Sequence, residues 1–164
     1  NGIKGSFNQI TGSKNVISQN ENVVDGRQNL IDGIRNYIIG DINSVSGNFN
    51  SVQGQTNTIQ GTQNMAKGDA NSVKGNTNAL EGNNNTAVGN ANQIKGNSNA
   101  AQGTQNLLIG QQNIFDGQGN RVQGSSNYGQ GSLNAVIGDL NVLKGDANGI
   151  KGSSNQVQGS SNIL

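Results

Sequence analysis

One apolar residue recurs along this chain on a fixed beat, with mostly polar or small residues between its occurrences. Ile3, Ile10, Ile17, Val24 and Ile31 open a series that runs to Val157 and Leu164. Two residues before each member stands an asparagine, from Asn1, Asn8 and Asn15 to Asn155 and Asn162 without a slip. Two residues after it stands a glycine, from Gly5 to Gly159, with Gln19 as the one replacement. The repeating unit is x-x-N-x-Φ-x-G. It tiles all 164 residues with no insertion. A seven-residue period invites a coiled coil, but that fold needs two apolar positions per heptad. A glycine in each heptad would also cost about 1 kcal/mol of helix propensity each time.

Read as a strand, N-x-Φ-x-G points Asn, Φ and Gly to one side and the two intervening residues to the other. The inward set is an aliphatic wedge between an amide and a residue with no side chain. Glycine then supplies the positive φ of a corner. One unit turns one corner, so two units close a flattened coil. The pattern therefore predicts an all-β fold, a β-solenoid or β-roll of about 14 residues per coil and about 11 to 12 coils, forming a rod roughly 55 Å long. Stacking sets Ile3, Ile17, Ile31, Val45 and Ile59 in one core ladder and Ile10, Val24, Ile38 and Val52 in the other. Asn8, Asn22, Asn36, Asn50, Asn64, Asn78, Asn92 and Asn106 form one of two asparagine ladders, each amide able to bond its neighbours above and below and the corner backbone. Ala66, Ala87, Ala101 and Gly129 underfill the thin Val/Ile/Leu core, and Phe115 overfills it, which predicts a local bulge there.

Composition alone would read as disorder, with 30% hydrophobic and 3% aromatic residues. The unbroken asparagine phase overrides that reading. The chain has no Cys, His, Trp or Pro, which removes disulfides, thiolate and imidazole metal sites and Cys or His catalysis. Its acids are scattered and no Ser has a base nearby, so neither an enzyme nor a cofactor or metal site is expected. A net charge of +1 gives no footprint for nucleic acid. The longest apolar runs, such as Tyr37-Ile38-Ile39, are far too short to insert in a membrane. The chain opens and closes in mid-register, so a single continuous solenoid over 1–164 is expected, an excerpt of a longer repeat protein or filament subunit.

Segments such as Asn43-Ser44-Val45-Ser46-Gly47 and Asn57-Thr58-Ile59-Gln60-Gly61 resemble the x-x-N-x-V-x-G repeat of grass ice-recrystallisation-inhibition proteins, and the likeness covers the whole chain. It implies a β-roll with asparagine ladders and a valine core, and an ice surface as partner. Thr86-Ala87-Val88-Gly89 is more distantly similar to the head repeats of trimeric autotransporter adhesins, which lack the asparagine ladder.

An ice-contacting face requires small hydroxyl and methyl groups coil after coil. The best candidate stretch is Ser44, Ser46, Thr58, Ser72 and Thr86, which Gln60 and Lys74 interrupt. No coil carries Thr at both outward positions flanking Φ. Outward apolar residues gather at Val16, Val23, Leu30, Tyr37 and Ile39, and again at Leu107, Ile109, Ile114, Tyr128, Ile137 and Val142. Contiguous apolar patches mark contact surfaces. On this reading the chain is first a structural rod of an extracellular or cell-surface filament or adhesin, self-associating as a filament or homo-oligomer. Ice binding is the alternative.

Overall fold

Alternation of inward and outward residues along each N-x-Φ-x-G segment produces one short strand per unit, three residues long except for the five consecutive five-residue strands from Gln93–Asn97 to Arg121–Ser125. The computed structural model describes residues 1–164. It contains 23 short strands, from β1 (Gly2–Lys4) to β23 (Gln156–Gln158). Odd-numbered strands form one 12-stranded parallel sheet and even-numbered strands an 11-stranded one. The pairing register is constant: Gly2 lies beside Val16, Val16 beside Leu30, Leu30 beside Ser44. The all-β solenoid of about 14 residues per coil is the architecture expected from the repeat. No helix is long and apolar enough to cross a membrane.

The asparagines do more than stack. The Asn78 backbone N–H donates to Oδ1 of Asn64 at 3.0 Å, and its Nδ2 donates to the same oxygen at 3.1 Å and to the Gly89 carbonyl at 2.8 Å. Its own Oδ1 accepts from the backbone N–H and Nδ2 of Asn92, at 3.0 and 3.1 Å. One amide thus satisfies a main-chain donor and a main-chain acceptor of the next coil, besides both neighbouring amides. Asn22 to Asn106 of the predicted ladder are buried, Asn8 in the first coil half-buried, and no buried side-chain nitrogen or oxygen lacks a partner. Burying so many amides therefore carries no unsatisfied-group penalty.

Glycine is needed at the corner for two reasons. Gly61 has φ +129°, and a Cβ there would run into the carbonyl of Gly75 on the next coil. Gln19, the one exception, holds φ 75°. Beside it the bond from Gly33 N–H to the Ser18 carbonyl lengthens to 3.4 Å, against 2.9 Å for the equivalent bond from Gly40 to Asp25. The coil yields where a side chain occupies the glycine position.

Each unit has a second positive-φ residue that the repeat does not advertise, the one just before the ladder asparagine. It holds φ 61° at Ile42, 59° at Phe49 and 59° at Thr56. Left-handed backbone costs an ordinary residue about 1–2 kcal/mol. Regular coil-to-coil bonds, such as Thr56 N–H to the Asp41 carbonyl at 3.1 Å, hold it in place.

The expected bulge at Phe115 does not form. Phe115 is 1% exposed and pairs in unbroken register with Ala101 on one side and Gly129 on the other. A Cβ on Gly129 would collide with the Phe115 ring. The ring thus occupies the volume that Gly129 leaves empty, and the apparent excess and deficit are one matched pair. Ala87 and Ala101 fall between Leu80, Ile94 and Leu108 of the opposite ladder along the chain, so larger residues alternate with smaller ones.

Three stability measurements follow from these contacts. Asn78→Ala should cost roughly 3–5 kcal/mol in urea titration, because it orphans the Asn92 N–H and the Gly89 carbonyl together. Gly129→Ala should be strongly destabilising alone and largely rescued by Phe115→Leu in a double-mutant cycle; additive effects would show that the two do not share space. Ile42→Gly should raise stability by about 1 kcal/mol by relieving the left-handed strain.

Candidate functional site

The two sheets expose four longitudinal rows of side chains, one row from the residue after each ladder asparagine and one from the residue after Φ. In the odd-stranded sheet the first kind of row reads Val16, Leu30, Ser44, Thr58, Ser72, Thr86, Ala100, Ile114, Tyr128 and Val142, fixed by the pairing register. From Val16 to Val142 no charged or amide side chain enters it; Gln156 follows on the last coil. Its middle is four hydroxyl residues, Ser44, Thr58, Ser72 and Thr86, on consecutive coils. Coils separated by the inter-strand distance set these groups about 4.8 Å apart.

Gln60 and Lys74, which interrupt the face as the sequence suggested, lie beside this row and not within it. They belong to the parallel row that follows Φ, with Ser46 and Val88. Of the predicted face, Ser44, Thr58, Ser72 and Thr86 therefore lie in one file, and Ser46 stands in the neighbouring, more polar one. A third file borders the hydroxyl row on its other side, made by the left-handed residues before the ladder asparagines: Thr56, Ala70, Asn84 and Ser98, all exposed. Because the asparagine between each pair points inward, both of its neighbours point out. Thr56 and Thr58 thus flank Asn57 as an outward Thr pair on a single coil. Sequence reasoning missed it by examining only the residues around Φ, although Thr-Asn-Thr was there to be seen.

Charge is distributed unequally. Between Ser44 and Gln102 the outward strand positions of the odd-stranded sheet carry only Lys74, whereas the other sheet carries Lys67, Glu81 and Lys95 over the matching coils. Lys95 and Glu81 pair at 3.6 Å, both more than half exposed, and add little stability. A groove of about 620 Å³ also interrupts that second sheet between Met65 and Ile109. At the corners Arg35 bonds Glu21, which raises the guanidinium pKa through the hydrogen bond and then the charge of the carboxylate. Arg35 is already cationic at any working pH, so the shift confers no pH dependence.

Four of the nine acids have a structural role in the backbone. Asp41, Asp69, Asp139 and Asp146 each accept the backbone N–H of the residue 14 earlier, at 2.7, 2.8, 2.6 and 2.7 Å. Asn76 and Asn90 do the same for Thr62 and Asn76. This outer corner ladder explains why small polar residues follow the glycines, for which the sequence suggested only turn preference.

The apolar patches are divided by the fold. Val16 and Leu30 lie on the odd-stranded sheet, and Val23, Tyr37 and Ile39 on the other. Ile114, Tyr128 and Val142 likewise face away from Leu107, Ile109 and Ile137. Each cluster that is continuous in sequence becomes two smaller strips on opposite faces, which weakens the expectation of a single self-association surface.

Two parallel sheets closed over paired asparagine ladders, with glycine corners and a one-residue-deep aliphatic core, define a β-roll. The chain belongs to the grass antifreeze β-roll family, whose model matches residues 1–68 and 66–164. That family is an antifreeze class, not an enzyme class. Comparison with curated proteins gives no match. The family match supports the ice-binding alternative and lends nothing to the filament or adhesin reading.

Proposed function

We propose that this protein binds ice and inhibits its recrystallisation, acting outside the cell, through the odd-stranded sheet along the file Ser44–Thr58–Ser72–Thr86 and the bordering residues Thr56, Ala70 and Ser98. The observation that carries this reading is the uninterrupted, charge-free hydroxyl file on consecutive coils of a rigid parallel sheet. Thr is stiff at χ1 and Ser is short, so little side-chain freedom is lost when they meet an ordered lattice. Lys and Gln would lose up to about 2 kcal/mol each on ordering. The ladder fixes the coil spacing in advance, so the waters bridging hydroxyls to the surface are organised without any rearrangement of the protein. Each contact is weak. Many held on one rigid body sum to lasting adsorption, which pins grain boundaries.

Thr58→Lys places a long cation in the centre of the file. In a splat-cooling assay it should raise the protein concentration needed to arrest grain growth by an order of magnitude. Gln93→Lys on the opposite sheet should leave activity unchanged. Loss of inhibition in Gln93→Lys with retention in Thr58→Lys would assign the activity to the other sheet; no inhibition by the wild-type chain would remove the reading altogether.

A further inference from the structure

Asparagine is everywhere in this chain, and the repeat keeps nearly all of it out of the N-x-Ser/Thr pattern that marks N-glycosylation acceptors. A ladder asparagine is followed two residues later by Φ. A corner asparagine after glycine, such as Asn76 or Asn90, is followed two residues later by a ladder asparagine. Only an asparagine in the left-handed position before a ladder asparagine can satisfy the pattern, and Asn84 is the one asparagine there. Asn84-Asn85-Thr86 is accordingly the single such triplet in the sequence.

Asn84 is also set apart by its bonding. The ladder amides are engaged coil to coil, as at Asn85, whose Nδ2 donates to the Gly96 carbonyl. The corner asparagines Asn20, Asn48, Asn76, Asn83, Asn90 and Asn97 all accept backbone N–H groups. The Asn84 side chain makes no hydrogen bond, is exposed, and sits on a corner with φ 56°. Nothing in the fold would have to be broken or displaced for Nδ2 to carry a large substituent.

We propose that Asn84 is an N-glycosylation acceptor. The donor class is an oligosaccharide linked to a lipid diphosphate: its anomeric C–O bond breaks, a bond forms from that carbon to Asn84 Nδ2, one amide proton is released, and the lipid diphosphate leaves. Transfer to the unfolded chain is followed by folding that buries Asn85 in the ladder and leaves the sugar on the outer corner. The acceptor assignment needs only entry into a secretory pathway, for which the extracellular reading above supplies the reason. One consequence rests on the ice-binding reading itself. Asn84 borders Thr86, so an attached glycan overhangs the hydroxyl file and shields it.

The test is secretion of the full chain from a eukaryotic host behind that host's leader, with intact-mass measurement before and after peptide-N-glycosidase. Wild type should carry one host glycan that the enzyme removes. Thr86→Ser should keep it, and Asn84→Gly and Thr86→Val should lose it; glycine is tolerated at this corner, as Gly119 at φ 64° shows. Ile42→Asn, which creates the same triplet with Ser44 at the equivalent corner three coils earlier, should add a second glycan. A wild-type chain secreted without sugar beside a co-expressed glycoprotein that is modified would overturn the assignment. In the grain-growth assay the glycosylated wild type should need several-fold more protein than Asn84→Gly; equal potency would refute the shielding. If neither form inhibits, the ice reading falls and the acceptor assignment stands on the masses.

Discussion

The side-chain amide of the ladder asparagine acts as a piece of main chain. Strands of three to five residues leave the corners outside regular sheet pairing, and a core one side chain deep has no room for unpartnered corner groups. Each asparagine donates to the glycine carbonyl of the following coil and accepts that coil's asparagine N–H, as Asn57 does with Gly68 and Asn71. The corner is thereby closed from within, at a fixed height, by a residue that every unit supplies. Once the amides set the coil spacing, a core position must match the space left by its stacked neighbours and need not keep one fixed size. That freedom is why Gly129, Ala101 and Phe115 stand in one core ladder without disturbing its register.

How legible each feature was depended on whether one residue type was required for it. Asparagine and glycine positions have no substitutes, or almost none, so period, coil length, inward and outward sets and both ladders followed directly from the sequence. The left-handed position before each asparagine tolerates Arg35, Ile42, Phe49 and Thr56 alike, so nothing marks it. Its conformation is imposed by the bonds on either side, not chosen by its side chain. The Phe115–Gly129 match was visible in principle, since the two are one coil apart in the same ladder. Judging each core position against the average size, instead of against its stacked neighbour, turned a complementary pair into two defects.

The candidate surface was obscured for a related reason. Taken coil by coil, Ser44 with Ser46, Thr58 with Gln60 and Ser72 with Lys74 look like a face repeatedly spoiled. The parallel register turns those pairs into two files of different character, one of hydroxyls and apolar groups, the other of amides and charges. Charge is segregated in the same way. The acids that remain near the corners accept backbone N–H groups, as Asp69 and Asp146 do, and the cation–carboxylate row of Lys67, Glu81 and Lys95 lies on the opposite sheet.

The ladder also adds a second constraint to some outward groups. The residue after Φ is held by sheet pairing. The residue between the asparagine and Φ, such as Thr58, is held by sheet pairing and by the amide bonds anchoring Asn57, while Thr56 on the other side is held by its N–H bond to the Asp41 carbonyl. The strip flanking the ladder, with Thr56 and Thr58 on either side of buried Asn57, is therefore tied to the backbone on both sides of the amide and carries no charge in the middle of the rod. A lattice partner rewards rigidity, since any motion left in the protein must be lost on contact. The same inward amide that makes so thin a core possible thus also sets the height and spacing of the outward groups on which the proposed ice contact rests.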